Sequence, residues 1–218
     1  MKKKHFGKAA TVFFLATAFM LQPVTGQAQP YLMTGYVPEL ATPTIDAYFV
    51  YHDDQLGDYN LKGATVGVRA SYVVYPAVEA LIDINLLQWD IESKDESGFK
   101  IDFGMKYQFT QFSETADVAL AALGGFGQTG TIDLFDFSLL ALFSKESAQG
   151  LTPFLGLGFG YSLQDFSGSI GFPADKDSKV LPIAFGGLKF KFNPHVGFAL
   201  EGFYKDGFGS SLGLNYRF

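Results

Sequence analysis

Thirteen charged side chains recur at alternate positions inside otherwise apolar segments, and any chemistry this chain performs would draw on them. They are Asp46, Arg69, Glu79, Asp83, Lys100, Asp102, Lys106, Asp117, Asp136, Lys189, Lys191, Glu201 and Arg217. Both signs are well represented, so the simplest expectation is mutual pairing in a shared polar interior. A sharper alternative is a narrow aqueous path in which the same charges set ion selectivity. Catalysis finds less support. Cysteine is absent, and beyond residue 28 the only histidines are His52 and His195. His52 adjoins Asp53 and Asp54, but neighbouring residues on a strand point to opposite faces. A base must reach its nucleophile within hydrogen-bond distance, and no such pair can be assigned. The expectation is therefore no enzyme and no cofactor.

Two apparent motifs carry little weight. Gly125-Phe-Gly-Gln-Thr-Gly130 spells G-x-G-x-x-G. A dinucleotide site needs that motif to open a helix, whereas Ile132-Asp-Leu-Phe-Asp-Phe137 reads as a strand. A hairpin is the better reading. The acidic run Asp53, Asp54, Asp58 offers oxygen ligands without the spacing of an EF-hand, so a solvated loop is expected and no metal.

The elements that must position the charges are strands. Ten alternating segments follow one another from residue 44. The cleanest is Phe99, Ile101, Phe103, Met105, Tyr107 and Phe109, interleaved with Lys100, Asp102, Gly104, Lys106, Gln108 and Thr110. Leu155, Leu157, Phe159 and Tyr161 mark a seventh segment that sends Gly156, Gly158 and Gly160 inward. That stripe either leaves local space or accommodates bulky neighbours. In the eighth, about residues 180–192, Gly186-Gly187 shifts the apparent phase, for which a β-bulge is expected.

The amino-terminal end has a different character. Met1 to Lys8 is basic, Ala9 to Leu21 is a short apolar stretch, and Gly26-Gln-Ala28 offers small residues at a cleavage site. This is the pattern of a secretory signal, too short for a spanning helix. Cleavage is expected after Ala28, giving residues 1–28 as signal peptide, 29–43 as a periplasmic lead-in and 44–218 as the folded domain. Losing Lys2, Lys3, Lys4 and Lys8 takes the formal charge from −6 to −10. A domain this acidic argues against nucleic acid as a partner.

The last strand carries the strongest signal. Leu212, Leu214, Tyr216 and the terminal Phe218 share one face, and Gly213, Asn215 and Arg217 the other. In a soluble protein this would be an exposed, aggregation-prone edge. As the closing strand of a membrane barrel its greasy side faces lipid. At these residues the chain resembles the small outer-membrane β-barrel proteins of Gram-negative bacteria. The resemblance implies an all-β, closed antiparallel transmembrane barrel in the outer membrane. It also implies that Leu214, Tyr216 and Phe218 signal to the barrel-assembly machinery. With both termini periplasmic the strand number is even. Roughly 175 residues then favour ten strands, with eight as the alternative. The connectors at 52–60, 92–98, 128–131, 165–179 and 205–208 face outward, and the stretch from Phe166 to Lys179 is the leading candidate for an external contact.

The rim proteases and lipid A-modifying barrels of that group use histidine arrangements that have no residue-by-residue match here. The expected role is thus structural or surface-interacting, with a largely filled polar lumen and membrane lipids as partners. A narrow porin-like channel is the alternative, and a lateral route for a hydrophobic ligand a third.

Overall fold

The computed structural model describes residues 33–38, 43–56, 59–91, 94–109, 112, 115–130, 132–166, 176–205 and 207–218. The signal peptide expected at 1–28 and most of the lead-in expected at 29–43 lie outside these residues. So do residues 167–175, the middle of the longest expected outer loop.

Ten strands form the domain: β1 (Thr44–Leu56), β2 (Tyr59–Tyr75), β3 (Val78–Ile91), β4 (Lys94–Gln108), β5 (Asp117–Thr129), β6 (Ile132–Ser144), β7 (Leu151–Phe166), β8 (Lys176–Lys191), β9 (Val196–Tyr204) and β10 (Gly207–Arg217). Each pairs antiparallel with its neighbours in sequence, and β1 pairs with β10 from Thr44↔Arg217 to Asp54↔Gly207. The sheet is thereby closed and has no free edge. We call the end at Thr44 and Arg217 the proximal mouth and the other the distal end.

Period-two alternation decides the two surfaces. On β4, Phe99, Phe103, Met105 and Tyr107 are exposed while Lys100, Asp102 and Lys106 are buried. The same inversion runs around the wall: Val66, Val68, Ile84, Leu86, Leu120, Phe137, Leu139, Leu157, Phe159, Leu200, Leu212 and Leu214 all point outward and exposed. A soluble fold would bury these side chains, and only a hydrocarbon surround makes such an exterior favourable. No helix among the described residues is long and apolar enough to cross a membrane.

Two expectations are corrected. The pairing of β8 with β7 and β9 runs through Gly186 and Gly187 without a break, so there is no bulge there. The apparent phase shift has another cause. Leu181, Ile183 and Phe185 face inward and are buried, so the inner face of β8 is apolar distally and polar proximally. A reading that equates inward with polar sees a slip where none exists. Among the described residues the one irregularity in the pairings lies at Val73/Tyr75, beside the Pro76-Ala77 turn. The strands also climb further than expected on the distal side: His52, Asp53 and Gly98 belong to β1 and β4 rather than to loops.

The glycine stripe of β7 serves bulky neighbours. The Phe185 ring lies where a side chain at Gly156 would begin, and the Ile183 Cδ1 and Ser138 Oγ atoms lie 3.0 and 3.3 Å from the Cβ position of Gly160. Gly156→Ala is accordingly expected to lower stability by about 1–3 kcal/mol, the usual cost of overpacking. Urea unfolding in lipid vesicles measures this, and Phe185→Leu in the same chain should recover part of the loss.

Candidate functional site

The site is the lumen. Its polar half is built on β1 to β6. Arg69 of β2 donates through Nε and Nη2 to the two oxygens of Asp83 on β3, each at 2.8 Å. The guanidinium also sits 5.8 Å over the ring of Tyr48. Asp83 lies directly opposite Asp102 of β4, a like-charge pairing that would repel if left alone. Each carboxylate is instead claimed by a different cation. Lys100 lies 3.1 Å from Asp102 and 2.5 Å from Asp136 on β6. Asn85 ties the two groups together, donating to Asp102 at 3.0 Å and accepting from the Tyr48 hydroxyl at 2.7 Å. Nearer the proximal mouth, Lys106 and Glu79 face each other across β3 and β4 at 2.6 Å, and the Ser71 hydroxyl donates to the same carboxylate.

The facing side carries an apolar cluster. Phe154, Phe185, Phe203 and Ile183 of β7 to β9 pack with Leu140 and Leu142 of β6 in one buried cluster. Small inward residues such as Gly156 and Gly209 make room for these rings. An ion-paired group on β2 to β6 thus faces an aromatic cluster on β6 to β9 across the lumen.

Residues 33–38 enter the proximal part of this interior. The Gly35 amide donates to the Ser144 hydroxyl at 3.0 Å, and the Val37 amide to the Gln108 side chain at 2.7 Å. Lys106 in turn donates to the carbonyls of Thr34 and Tyr36, at 3.3 and 2.8 Å. Met33 and Val37 are buried, and a side chain at position 35 would collide with the Asp117 carbonyl. An extended segment whose amides and carbonyls are bound by wall side chains is part of the lining.

The residues singled out from sequence fall as follows. Arg69, Glu79, Asp83, Lys100, Asp102, Lys106, Asp136 and Glu201 are buried in the lumen. Lys189 and Arg217 are half-buried at the proximal mouth. Lys191 is at the rim, exposed and 3.4 Å from Glu146. Glu201 accepts a hydrogen bond from Ser211 and Asp46 one from Asn215. Leu212, Leu214, Tyr216 and Phe218 form the exposed outer face of β10, with the last two rings edge to face at 4.9 Å. Gly125 and Gly127 lie in β5 and Gly130 in the turn that follows, a hairpin without a helix.

Sequence reasoning missed two inner residues near the distal end. Lys205, read as loop, is fully buried and 3.6 Å from Asp136. His52, also read as loop, is buried with its ring edge-on to Trp89, centroids 6.1 Å apart. The signal was present: the inward phase of Asp46, Tyr48 and Val50 continues to His52, and that of Glu201 and Phe203 to Lys205. By contrast, His195 is exposed in a proximal turn, where its Nδ1 meets the Arg217 carbonyl oxygen at 2.8 Å. The two histidines therefore sit at opposite ends of the barrel. Asp53 is exposed 3.5 Å from Lys62.

No family model matches the chain, and no curated protein does either. Solved structures do. The translocator domain of the autotransporter NalP from Neisseria meningitidis has 12% identity and a TM-score of 0.54, over 98% of this chain and 96% of that one. The β domain of the Bordetella autotransporter BrkA also has 12% identity and a TM-score of 0.54, over 82% and 99%. An outer-membrane channel from Pseudomonas putida F1 has 10% identity and a TM-score of 0.50, over 88% and 100%. At these identities the likeness is one of fold, and the fold is that of the bacterial outer-membrane β-barrels.

Proposed function

We propose that this chain works in a bacterial outer membrane as a closed barrel without enzymatic activity, serving a structural or surface-interacting role. The observation that carries the reading is the central layer. The Arg69–Asp83 pair and the Asp102–Lys100–Asp136 bridge occupy one side of the lumen, and Phe185 and Phe203 the other. Buried paired charges are held against one another and offer no open conducting track. The apolar exterior supports membrane lipid as the principal partner. The outer face of β10, ending on Tyr216 and Phe218, supports recognition by the barrel-assembly machinery.

Planar-bilayer recording tests this reading. The mature chain, refolded and shown to be folded by its heat-modifiable gel mobility, is expected to give no discrete conductance steps. Reproducible unitary steps would replace the closed barrel with a narrow channel.

A further inference from the structure

Between residues 33–38 and the wall of β8 to β10 the proximal mouth encloses a cavity of about 240 Å³. It opens at the mouth and borders the lumen charges Arg69, Glu79 and Lys106 on its inner side. Four carboxylates line it, and each is engaged. Asp46 accepts from Asn215, Glu79 from Lys106 and Ser71, and Asp117 from Gln108, while Glu146 pairs with Lys191. Two cations in the same lining are not matched in this way. Among the described residues Lys189 has no carboxylate within ion-pair distance, and the buried Arg217 Nε has no hydrogen-bond partner. Gly197 lies between them in the fold: the Lys189 stem and the Asn215 side chain both reach to within 4 Å of its Cβ position. Lys189 is thereby brought beside Asn215, two residues from Arg217.

We infer that this vestibule is a binding site for a small oxyanion, a carboxylate or phosphate group presented from the proximal side. A buried guanidinium N–H without a partner is costly, and a charged acceptor is its strongest complement. Arg217 supplies directional donors and Lys189 a mobile point charge, the usual division of labour at carboxylate and phosphate sites. The neutral polar side chains of Asn215 and Thr152 border the same space. A volume below the roughly 300–1,000 Å³ of drug-sized pockets limits the ligand to a small one. The segment 33–38 is the opposite wall, contributing Met33, Thr34 and Tyr36. This inference goes beyond the closed-barrel reading and does not depend on whether the lumen conducts.

Isothermal titration of the mature barrel in zwitterionic detergent, with citrate and inorganic phosphate as separate probes, tests it. Saturable binding of at least one probe is expected, and which one binds distinguishes carboxylate from phosphate chemistry. Lys189→Gln and Arg217→Gln should each weaken binding by about tenfold or more, the loss expected on removing one charge-assisted contact. The charge-preserving Lys189→Arg and Arg217→Lys should retain most of it. Lys62→Gln, a lysine near the distal end, should leave it unchanged. Heat-modifiable mobility of every variant separates lost binding from lost fold. Absence of saturable heat with both probes, or equal binding by folded Lys189→Gln and Arg217→Gln, would overturn the site.

Discussion

Replacing Asp136 with Ala is expected to destabilise the barrel by about 3–5 kcal/mol, the range for removing one member of a buried ion pair. Asp136 is the carboxylate on which two cations converge, Lys100 at 2.5 Å and Lys205 at 3.6 Å. Lys100 would keep Asp102, but Lys205, fully buried, would keep no carboxylate of that group. The cost is therefore dominated by a stranded charge rather than by a lost attraction. Asp136→Asn preserves shape and an acceptor oxygen and should cost less than Asp136→Ala. Trp89, the single tryptophan and itself buried, gives a convenient fluorescence reading of urea unfolding in phospholipid vesicles. A loss below about 1 kcal/mol would place this cluster in the regime of solvated surface pairs and would refute a buried, ion-paired central layer.

Phe103→Arg should act from the opposite surface. Phe103 is on the lipid-facing side of β4, between the outward residues Ile101 and Met105, with its ring 6.3 Å from that of Phe126. It pairs with Ile82 and Gly124, near the middle of the strands. An arginine at the midplane of a membrane barrel costs about 2–4 kcal/mol, and the aromatic contact is lost as well. The expected result is slower and less complete folding into vesicles, with loss of the heat-modifiable species. Phe103→Leu should fold normally. Lys62→Glu, on the exposed part of β2 near Asp53, should be tolerated within a fraction of a kcal/mol. Normal folding of Phe103→Arg would contradict a lipid-facing exterior.

The residues near the distal end illustrate how assumptions about loops hide inner groups. His52 and Lys205 sit in stretches whose composition reads as solvated: His52-Asp-Asp and Lys205-Asp-Gly. Composition reports the average environment of a stretch, whereas pleat reports the direction of each side chain. Carrying the phase of β1 and β9 two residues further places both groups inside. The same reasoning corrects β8. Inward does not mean polar there: Leu181, Ile183 and Phe185 face the lumen without breaking the strand.

The sequence by itself narrowed the strand count to ten or eight and determined the inside and outside of nearly every strand, and the lipid-facing last strand. These follow from local rules: a period of two, turn residues such as Pro76-Ala77 and Asn193-Pro194, and an exterior too apolar for water. Which charge meets which was decided only by the tertiary structure. Lys100 reaches Asp136 across one strand because Gly125 and Gly127 on the intervening β5 carry no side chain to block it. Lys106 binds the carbonyls of Thr34 and Tyr36, some 70 residues away, because barrel closure brings residues 33–38 into the interior. Alternation encodes a direction for each side chain, but a partner depends on register, tilt and closure together, and those are properties of the whole sheet.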